Sequence, residues 1–183
     1  MFKLFFSRPK IDPSKAGKKD IRIIFGLGNP GKEYALTYHN VGQLFVDYMA
    51  KGTFKKYRNF EFSKEDGVIF VKSLTFMNQS GMAAKEALKY FNLKPENLLV
   101  AHDDNDILLG QHKFSFDQGP AGHNGVSSIV THLKTQSFFR ERIGVRKNQK
   151  TKAGEFILKS MSKTELDILK KVSLEIQNSL ISH

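Results

Sequence analysis

Runs of apolar, β-branched residues alternate along the chain with segments whose apolar residues recur at helical spacing. The run IRIIFGL, residues 21–27, is short and continuous, which is typical of a buried central strand. From Val41 to Met49 the apolar residues recur at helical spacing and stop before Gly52, which predicts a helix. The same two patterns predict further strands at 67–74, 98–103, 112–116 and 139–145, and further helices at 80–91, at 122–134 and from Ser162 onward.

The order of these elements predicts an α/β sandwich with a mostly parallel or mixed central sheet. Residues 21–183 are expected to form this one domain, because 183 residues suffice to bury a single core. The first 20 residues carry six Lys or Arg against two Asp, together with Pro9 and Pro13. That composition predicts a flexible basic tail in front of the domain.

Composition narrows the class of protein. Apolar residues make up 40% of the chain and charged residues 26%, close to the average for globular proteins. There is no cysteine, which removes disulfides and cysteine-based metal sites and fits a cytoplasmic protein. No apolar run approaches the roughly 20 residues that a membrane-spanning helix needs, so no membrane partner is expected.

Charge points to a polyanionic partner. Lys and Arg number 29 against 18 Asp and Glu, which gives a net charge of +11. Such an excess attracts nucleic acid, and the bases cluster in the tail, in residues 51–62 and in residues 140–152. In residues 51–62 aromatic side chains alternate with the bases. We expect Phe54, Phe60 and Phe62 to lie in the core and not to stack on bases.

The loop GLGNPG satisfies the pattern G-x-G-x-x-G with Gly26, Gly28 and Gly31, which raises the possibility of a dinucleotide site. Such a site needs a helix that begins within the glycines, whereas the next helical pattern begins about ten residues later. Pro30 also removes one amide donor. We therefore interpret the loop as a scaffold for Asn29 and His39.

Four segments deliver polar side chains from the ends of predicted strands or helices. They contain Asn29 with His39, Asn78, the run HDDND at 102–106, and His123 with Asn124. Ligands of open α/β sheets bind at the carboxyl ends of strands, so these segments predict a site. Each one alone is also compatible with ordinary turn chemistry.

The motifs GLGNPG, TYHN, TFMNQSG, HDDND and AGHNG occur in the order and at the spacing found in bacterial peptidyl-tRNA hydrolases, and the chain resembles that family from residue 21 to about residue 159. The resemblance implies a single α/β domain with a twisted, mixed and partly parallel sheet packed between helices. It further implies a monomer without metal or cofactor. The implied reaction is hydrolysis of the ester between a peptide and the terminal ribose of tRNA.

By match to the family, His39 is the general base and Asp103 its carboxylate partner. Imidazole suits this role because its ordinary pKa lies near neutrality. A carboxylate that accepts one ring N–H fixes the tautomer and stabilises the imidazolium. The alternative is a metal site built from acids of the HDDND run and a histidine, for which the candidate ligands are Asp103, Asp104, Asp106 and His102 or His123.

The resemblance also assigns the neutral amides. The position of Asn29 helps to separate N-blocked from free aminoacyl esters, and those of Asn78 and Asn124 hold the peptide and polarise the carbonyl or the water. Carboxamides pair with peptide groups whatever the peptide sequence. Tyr34 and Phe76 match positions that line the cleft near the terminal nucleotide and the peptide.

Phosphate contacts would account for the basic charge, and Lys113 and Arg142 are the candidates. The chain departs from the family pattern where Tyr38 replaces a common arginine, Ser73 a common proline and Ser115 a common basic residue, and where Pro120-Ala121 replaces glycines. A noncatalytic RNA-binding protein on the same scaffold is the second hypothesis. The presence of both His39 and Asp103 favours the enzyme.

Overall fold

A seven-stranded sheet runs through the part of the chain that the structure, a computed structural model, describes, residues 17–147 and 156–181. Its spatial order is β2-β3-β4-β1-β5-β7-β6. The strands are β1 (Ile23–Gly26), β2 (Lys55–Tyr57), β3 (Phe60–Glu65), β4 (Val68–Ser73), β5 (Leu98–Leu108), β6 (His112–Phe116) and β7 (Phe139–Arg146). The α-helices within the described ranges are α1 (Val41–Met49), α2 (Ser80–Tyr90), α3 (Asn124–Leu133) and α4 (Lys163–Ile181).

The four central strands are parallel. β1 pairs in parallel with β4 and with β5, and β5 pairs in parallel with β7. At the two sides of the sheet, β3 pairs antiparallel with β2 and β4, and β6 pairs antiparallel with β7. The mixed sheet and the edge position of residues 112–116 are therefore confirmed. Because parallel strands end at the same edge, the segments that follow them are brought together there.

Helices cover both faces of the sheet. Alternate residues of β5 enter different cores: Leu99 and Ala101 pack with α1 and α4, whereas Leu98 and Val100 pack with α2 and α3. A strand buried on both faces has to be apolar at every position, which is why these strands appear in the sequence as continuous apolar runs.

Helix α1 lies directly on the strand ends because glycines remove the side chains between them. A Cβ atom on Gly42 would overlap the carbonyl oxygen of Ala101, and one on Gly26 would overlap the carbonyl oxygen of Gly42. Any larger residue at these positions would push the helix off the sheet. The close approach carries His39 and Asn40, which precede the helix, to the carboxyl end of β1 and to the middle of β5.

The two strands β2 and β3 are absent from the sequence-based prediction. Bases and aromatics alternate in residues 51–62. This pattern predicts a basic cluster whose phenylalanines lie in the core, but it does not predict strands. The accompanying expectation is confirmed, because Phe60 and Phe62 are buried and Phe54 packs against the core. β5 extends beyond the predicted end at residue 103, because its pairing with β7 continues past an irregularity as far as Leu108.

The predicted basic tail lies outside the described residues up to residue 16. Within the described part, Lys18–Asp20 forms a short 3-10 turn. The Nζ atom of Lys18 donates to the carbonyl oxygen and to the hydroxyl of Ser179 in α4, at 3.2 Å each. In the described residues, no helix has both the length and the apolar character needed to cross a membrane.

A buried carboxylate on the α4 face of the sheet depends on one histidine. Glu141 is 1% exposed and accepts a hydrogen bond from Nδ1 of His112 at 2.7 Å. This bond raises the pKa of His112 above its ordinary value, against the opposing effect of burial; Glu175 adds to the increase and Lys18 opposes it. The protonated imidazole is thus favoured in the folded state.

We expect this pair to make stability fall with rising pH. Because the folded pKa of His112 is raised, its contribution is complete below the ordinary pKa near 6.5 and is lost as the pH rises through the raised value. Urea unfolding between pH 6 and pH 9 should show this decrease in wild type and a flatter profile in His112→Gln. His132→Gln, which removes a histidine that bonds a backbone carbonyl, is the control. An unchanged pH profile in His112→Gln would contradict the assignment.

Candidate active site

Three side chains from different elements meet at Asp103, in the middle of β5, just past the point where the pairing of β5 with β1 ends at Ala101. His39 comes from the 3-10 turn before α1, Asp103 from β5 and His123 from the residue that caps α3. Nδ1 of His39 lies 2.9 Å from Oδ1 of Asp103, and Nε2 of His123 lies 3.0 Å from the same oxygen. The contact between His39 and Asp103 expected from the sequence is therefore present.

The carboxylate fixes the proton of His39. An ionised carboxylate only accepts hydrogen bonds, so Nδ1 of His39 carries the proton and donates it to Asp103. Nε2 then keeps its lone pair. Since the His39 side chain is 13% exposed and lines the cavities described below, Nε2 is the ring atom available to act as a base.

His123 has the opposite tautomer. Its Nδ1 accepts hydrogen bonds from the backbone N–H groups of Gly125 at 3.1 Å and Val126 at 3.4 Å, at the first turn of α3. In the neutral ring the proton therefore lies on Nε2, which donates to Asp103. The sequence places His123 among the polar side chains of the predicted site and among the possible metal ligands, but does not predict its bond to Asp103. The predicted helix at 122–134 would include His123 in its first turn, whereas α3 begins at Asn124 and His123 is the capping residue.

Asp103 is charged although it is buried. Burial raises the pKa of its carboxyl group, but the interactions with His123 and His39 outweigh this effect, and the pKa lies well below its ordinary value. The neighbouring His102 is instead uncharged. Burial lowers its pKa far below the ordinary range, and the nearby His123 adds to the decrease. His102 is thus neutral, and its Nδ1 lies 2.7 Å from the backbone carbonyl oxygen of Asp103.

A second buried amide orients Asn29. The side chain of Asn40 bonds the backbone N–H and the carbonyl of Asn29, each at 2.9 Å. Oδ1 of Asn29 accepts from the backbone N–H of Met77 at 2.8 Å. With Oδ1 occupied, the Nδ2 group remains as the donor at the cavity that Asn29 lines. Asn40 was given no separate role from the sequence.

Two adjoining cavities share His39, Asn124 and Ile157. One, of about 400 Å³, contains Asp103 and His123. The other, of about 600 Å³, is lined in addition by Asn29, Phe76 and Asn78. The ring of Phe76 is 52% exposed and meets Tyr34 edge-on at 6.4 Å between centroids. His39, the three asparagines and Phe76 therefore line one cleft, and Tyr34 contacts Phe76 without lining either cavity.

The two residues that are candidates for contact with tRNA phosphate lie outside this cleft. Lys113 and Arg142 are directly opposite on β6 and β7, so their side chains project from the same face of the sheet. Lys113 is exposed. Nε of Arg142 is bonded to Oδ2 of Asp104 at 2.6 Å, and the Arg142 side chain is 14% exposed. The sequence did not reveal this ion pair, which restricts the part of the guanidinium available to a ligand.

The cluster with metal-ligand character among the described residues is His39, Asp103 and His123, whose ligand atoms lie within 4.8 Å of one another. This set differs from the one considered from the sequence, since Asp104 pairs with Arg142. Coordination by Nε2 of His123 would require loss of its proton, yet the backbone donors at Nδ1 favour that proton. The hydrogen-bonded group accounts for the observed geometry without a metal ion.

The chain is similar to known hydrolases over most of its length. The family described as Peptidyl-tRNA hydrolase matches residues 23–182. The peptidyl-tRNA hydrolase of Mycoplasma capricolum is 38% identical over 165 residues, which cover 82% of this chain and 86% of the relative. That of Aquifex aeolicus is 37% identical over 162 residues, 84% of each chain. The crystal structure of the Acinetobacter baumannii peptidyl-tRNA hydrolase has a TM-score of 0.78 and 30% identity, and the match covers 88% of this chain and 87% of that one.

We expect the two imidazoles bonded to Asp103 to be opposite tautomers. Nitrogen-15 NMR of histidine-labelled protein should show His39 protonated at Nδ1 and His123 at Nε2, because their partners dictate those sites. His39→Gln and His123→Gln assign the two signals. Asp103→Asn should shift both ring N–H protons upfield, since a charged acceptor makes the stronger hydrogen bond. Identical tautomers for the two rings would contradict the arrangement.

Proposed function

The chain belongs to the peptidyl-tRNA hydrolase family, and on that premise we propose that it hydrolyses the ester between the C-terminus of a peptide and the terminal ribose of tRNA, with His39 as the general base. The observation that carries the proposal is the 2.9 Å contact between Nδ1 of His39 and the buried Asp103 carboxylate, beside a cleft that contains three asparagines. Hydrolysis of an ester requires a positioned water molecule, a general base and hydrogen-bond donors for the developing oxyanion.

The reaction proceeds by proton transfer at one imidazole. Nε2 of His39 takes a proton from a water molecule as the water oxygen attacks the ester carbonyl. The imidazolium that forms is stabilised by Asp103, which is already ionised. When the tetrahedral intermediate collapses, the C–O bond to the ribose breaks and Nε2 returns the proton to the ribose oxygen. The products are the free peptide acid and tRNA with its terminal hydroxyl.

Asn29 is proposed to select N-blocked substrates. Its Nδ2 group is the donor that the contact with Met77 leaves for the cleft, so it suits the carbonyl oxygen of a peptide bond. In an aminoacyl ester the free ammonium group takes the place of that peptide bond and offers donors only, so donor would face donor. Asn78 and Asn124 hold the peptide backbone and polarise the scissile carbonyl, where one preorganised donor contributes about 3 kcal/mol.

The remaining assignments concern the rest of the substrate. Tyr34 and Phe76 are proposed to border the terminal nucleotide and the first peptide residues, because Phe76 is exposed in the cleft beside Tyr34 and an exposed ring face can stack on a base. Lys113 and the free part of the Arg142 guanidinium are proposed to contact tRNA phosphate. The monomeric state and the cytoplasmic location remain predictions of the sequence.

We expect wild type to cleave N-acetyl-aminoacyl-tRNA faster than aminoacyl-tRNA of the same sequence. Asn29→Ala should reduce this ratio, since it removes the donor that the free ammonium group would oppose. Asn59→Ala is the matched control, because Asn59 bonds Glu86 outside the cleft. Rates of ester cleavage measure both substrates. Equal cleavage of the two esters by wild type would refute the role of Asn29, and inhibition by EDTA would favour a metal site.

We expect His39→Ala to lose nearly all turnover while it still binds tRNA, because the base does not contribute to phosphate affinity.

Binding of tRNA to wild type should weaken linearly in a plot of log affinity against log salt concentration. Lys113→Ala should reduce that slope by about one, as expected for loss of one phosphate contact. Lys170→Ala on α4 is the control lysine. Turnover retained in His39→Ala would remove the proposed mechanism, and a complete absence of turnover in wild type would favour the noncatalytic RNA-binding hypothesis.

A further inference from the structure

The residue before the proposed base is a buried tyrosine. Tyr38 is 1% exposed. The Tyr38 hydroxyl donates to Oε1 of Glu165 at 2.7 Å. The ring also packs edge-on against Phe156, with 5.0 Å between centroids. Tyr38 therefore connects the turn that carries His39 to the first turn of α4.

The backbone of that turn is held by one other segment. The N–H of His39 donates to the carbonyl of Ile157 at 2.9 Å, and the N–H of Met161 donates to the carbonyl of Leu36 at 2.8 Å. Thr37 and Ser160 form an antiparallel bridge between these contacts. The main chain of His39 is thus positioned by residues 157–161, while its ring is positioned by Asp103.

Glu165 joins this ladder to the helix that follows it. Its Oε2 accepts from the backbone N–H of Ser162 at 2.7 Å, and its own backbone N–H donates to Oγ of Ser162 at 3.4 Å, which together form a capping box at the start of α4. Its Oε1 also accepts from Nζ of Lys147 at 2.7 Å. Burial raises the pKa of Glu165, but the bonds from Lys147, Ser162 and Tyr38 lower it to about 2. A permanently charged acceptor therefore stands opposite the Tyr38 hydroxyl.

We propose that Tyr38 is a positioning residue for His39: its bond to Glu165 holds residues 36–39 against residues 157–161 and so fixes where the Nε2 atom of His39 stands in the cleft. The inference rests on the proposed role of His39 as the base. Tyr38 is buried and lines neither cavity of the cleft, so it acts through His39 and not on the substrate. An arginine side chain at this position would also carry donors that suit the Glu165 carboxylate.

The test compares Tyr38→Phe with wild type in peptidyl-tRNA hydrolysis. The variant keeps the ring and its packing on Phe156 but loses the hydrogen bond. We expect kcat to fall about 10-fold with KM unchanged, since a small displacement of a catalytic group lowers the rate without altering binding. We also expect the His39 Nδ1 proton resonance to shift, because the ring moves relative to Asp103. Tyr38→Arg should restore kcat to within about 2-fold of wild type.

A matched control separates positioning from stability. Tyr48→Phe makes the same chemical change on α1, where the ring packs against the same core. It should leave kcat and the His39 resonance unchanged whatever it does to urea unfolding. An unchanged kcat in Tyr38→Phe, an equal loss in Tyr48→Phe, or a Tyr38→Arg variant as slow as Tyr38→Phe would each overturn the inference. Failure of the proposed function itself is distinguishable, because wild type would then show no turnover or His39→Ala would show no loss.

Discussion

One oxygen of Asp103 accepts hydrogen bonds from two imidazoles that lie just before two different helices. The arrangement of the cleft depends on this shared acceptor. A buried carboxylate is costly unless donors replace the water it has lost. His39 and His123 supply those donors, and each is tied to a helix start. The charge of Asp103 thereby draws the beginnings of α1 and α3 to the middle of β5. The same negative charge stabilises the imidazolium that forms when the proposed base, His39, takes up a proton.

That convergence is possible only because the chain removes bulk beneath α1. Gly26 and Gly42 allow helix backbone to touch strand backbone, and Gly31 adopts a φ of +114°, which suits the turn that presents Asn29. The glycines therefore serve helix packing and a turn, and α1 begins at Val41, ten residues after Gly31. Two glycines of the dinucleotide-like pattern, Gly26 and Gly31, are thus explained by helix packing and by the conformation of a turn.

Periodicity predicted the elements that are buried on a regular face. The central strands appear in the sequence as continuous apolar runs, and the helices as apolar residues spaced three and four apart, so both could be predicted. The ends of elements such as β5 could not, because they depend on pairing partners far along the chain. β2 and β3 were missed because bases at the exposed positions hide the alternation. Similarly, the ion pair between Arg142 and Asp104 joins residues 38 apart across neighbouring strands, for which the sequence carries no local signal. Motif order predicted the members of the cleft, but the role of His123 became visible only from its cap geometry.

The shared oxygen also constrains how a proton travels. If the His39 ring turned over, Asp103 would keep a single donor, so the ring is expected to stay in place through the proposed cycle. The proton must then arrive and depart through one nitrogen. For that to happen, the incoming water and the departing ribose oxygen have to stand side by side, both facing the same edge of the imidazole. In the proposed reaction, the directions from which water enters and the ribose oxygen leaves are thus set by the orientation of the His39 ring, which its contact with Asp103 holds.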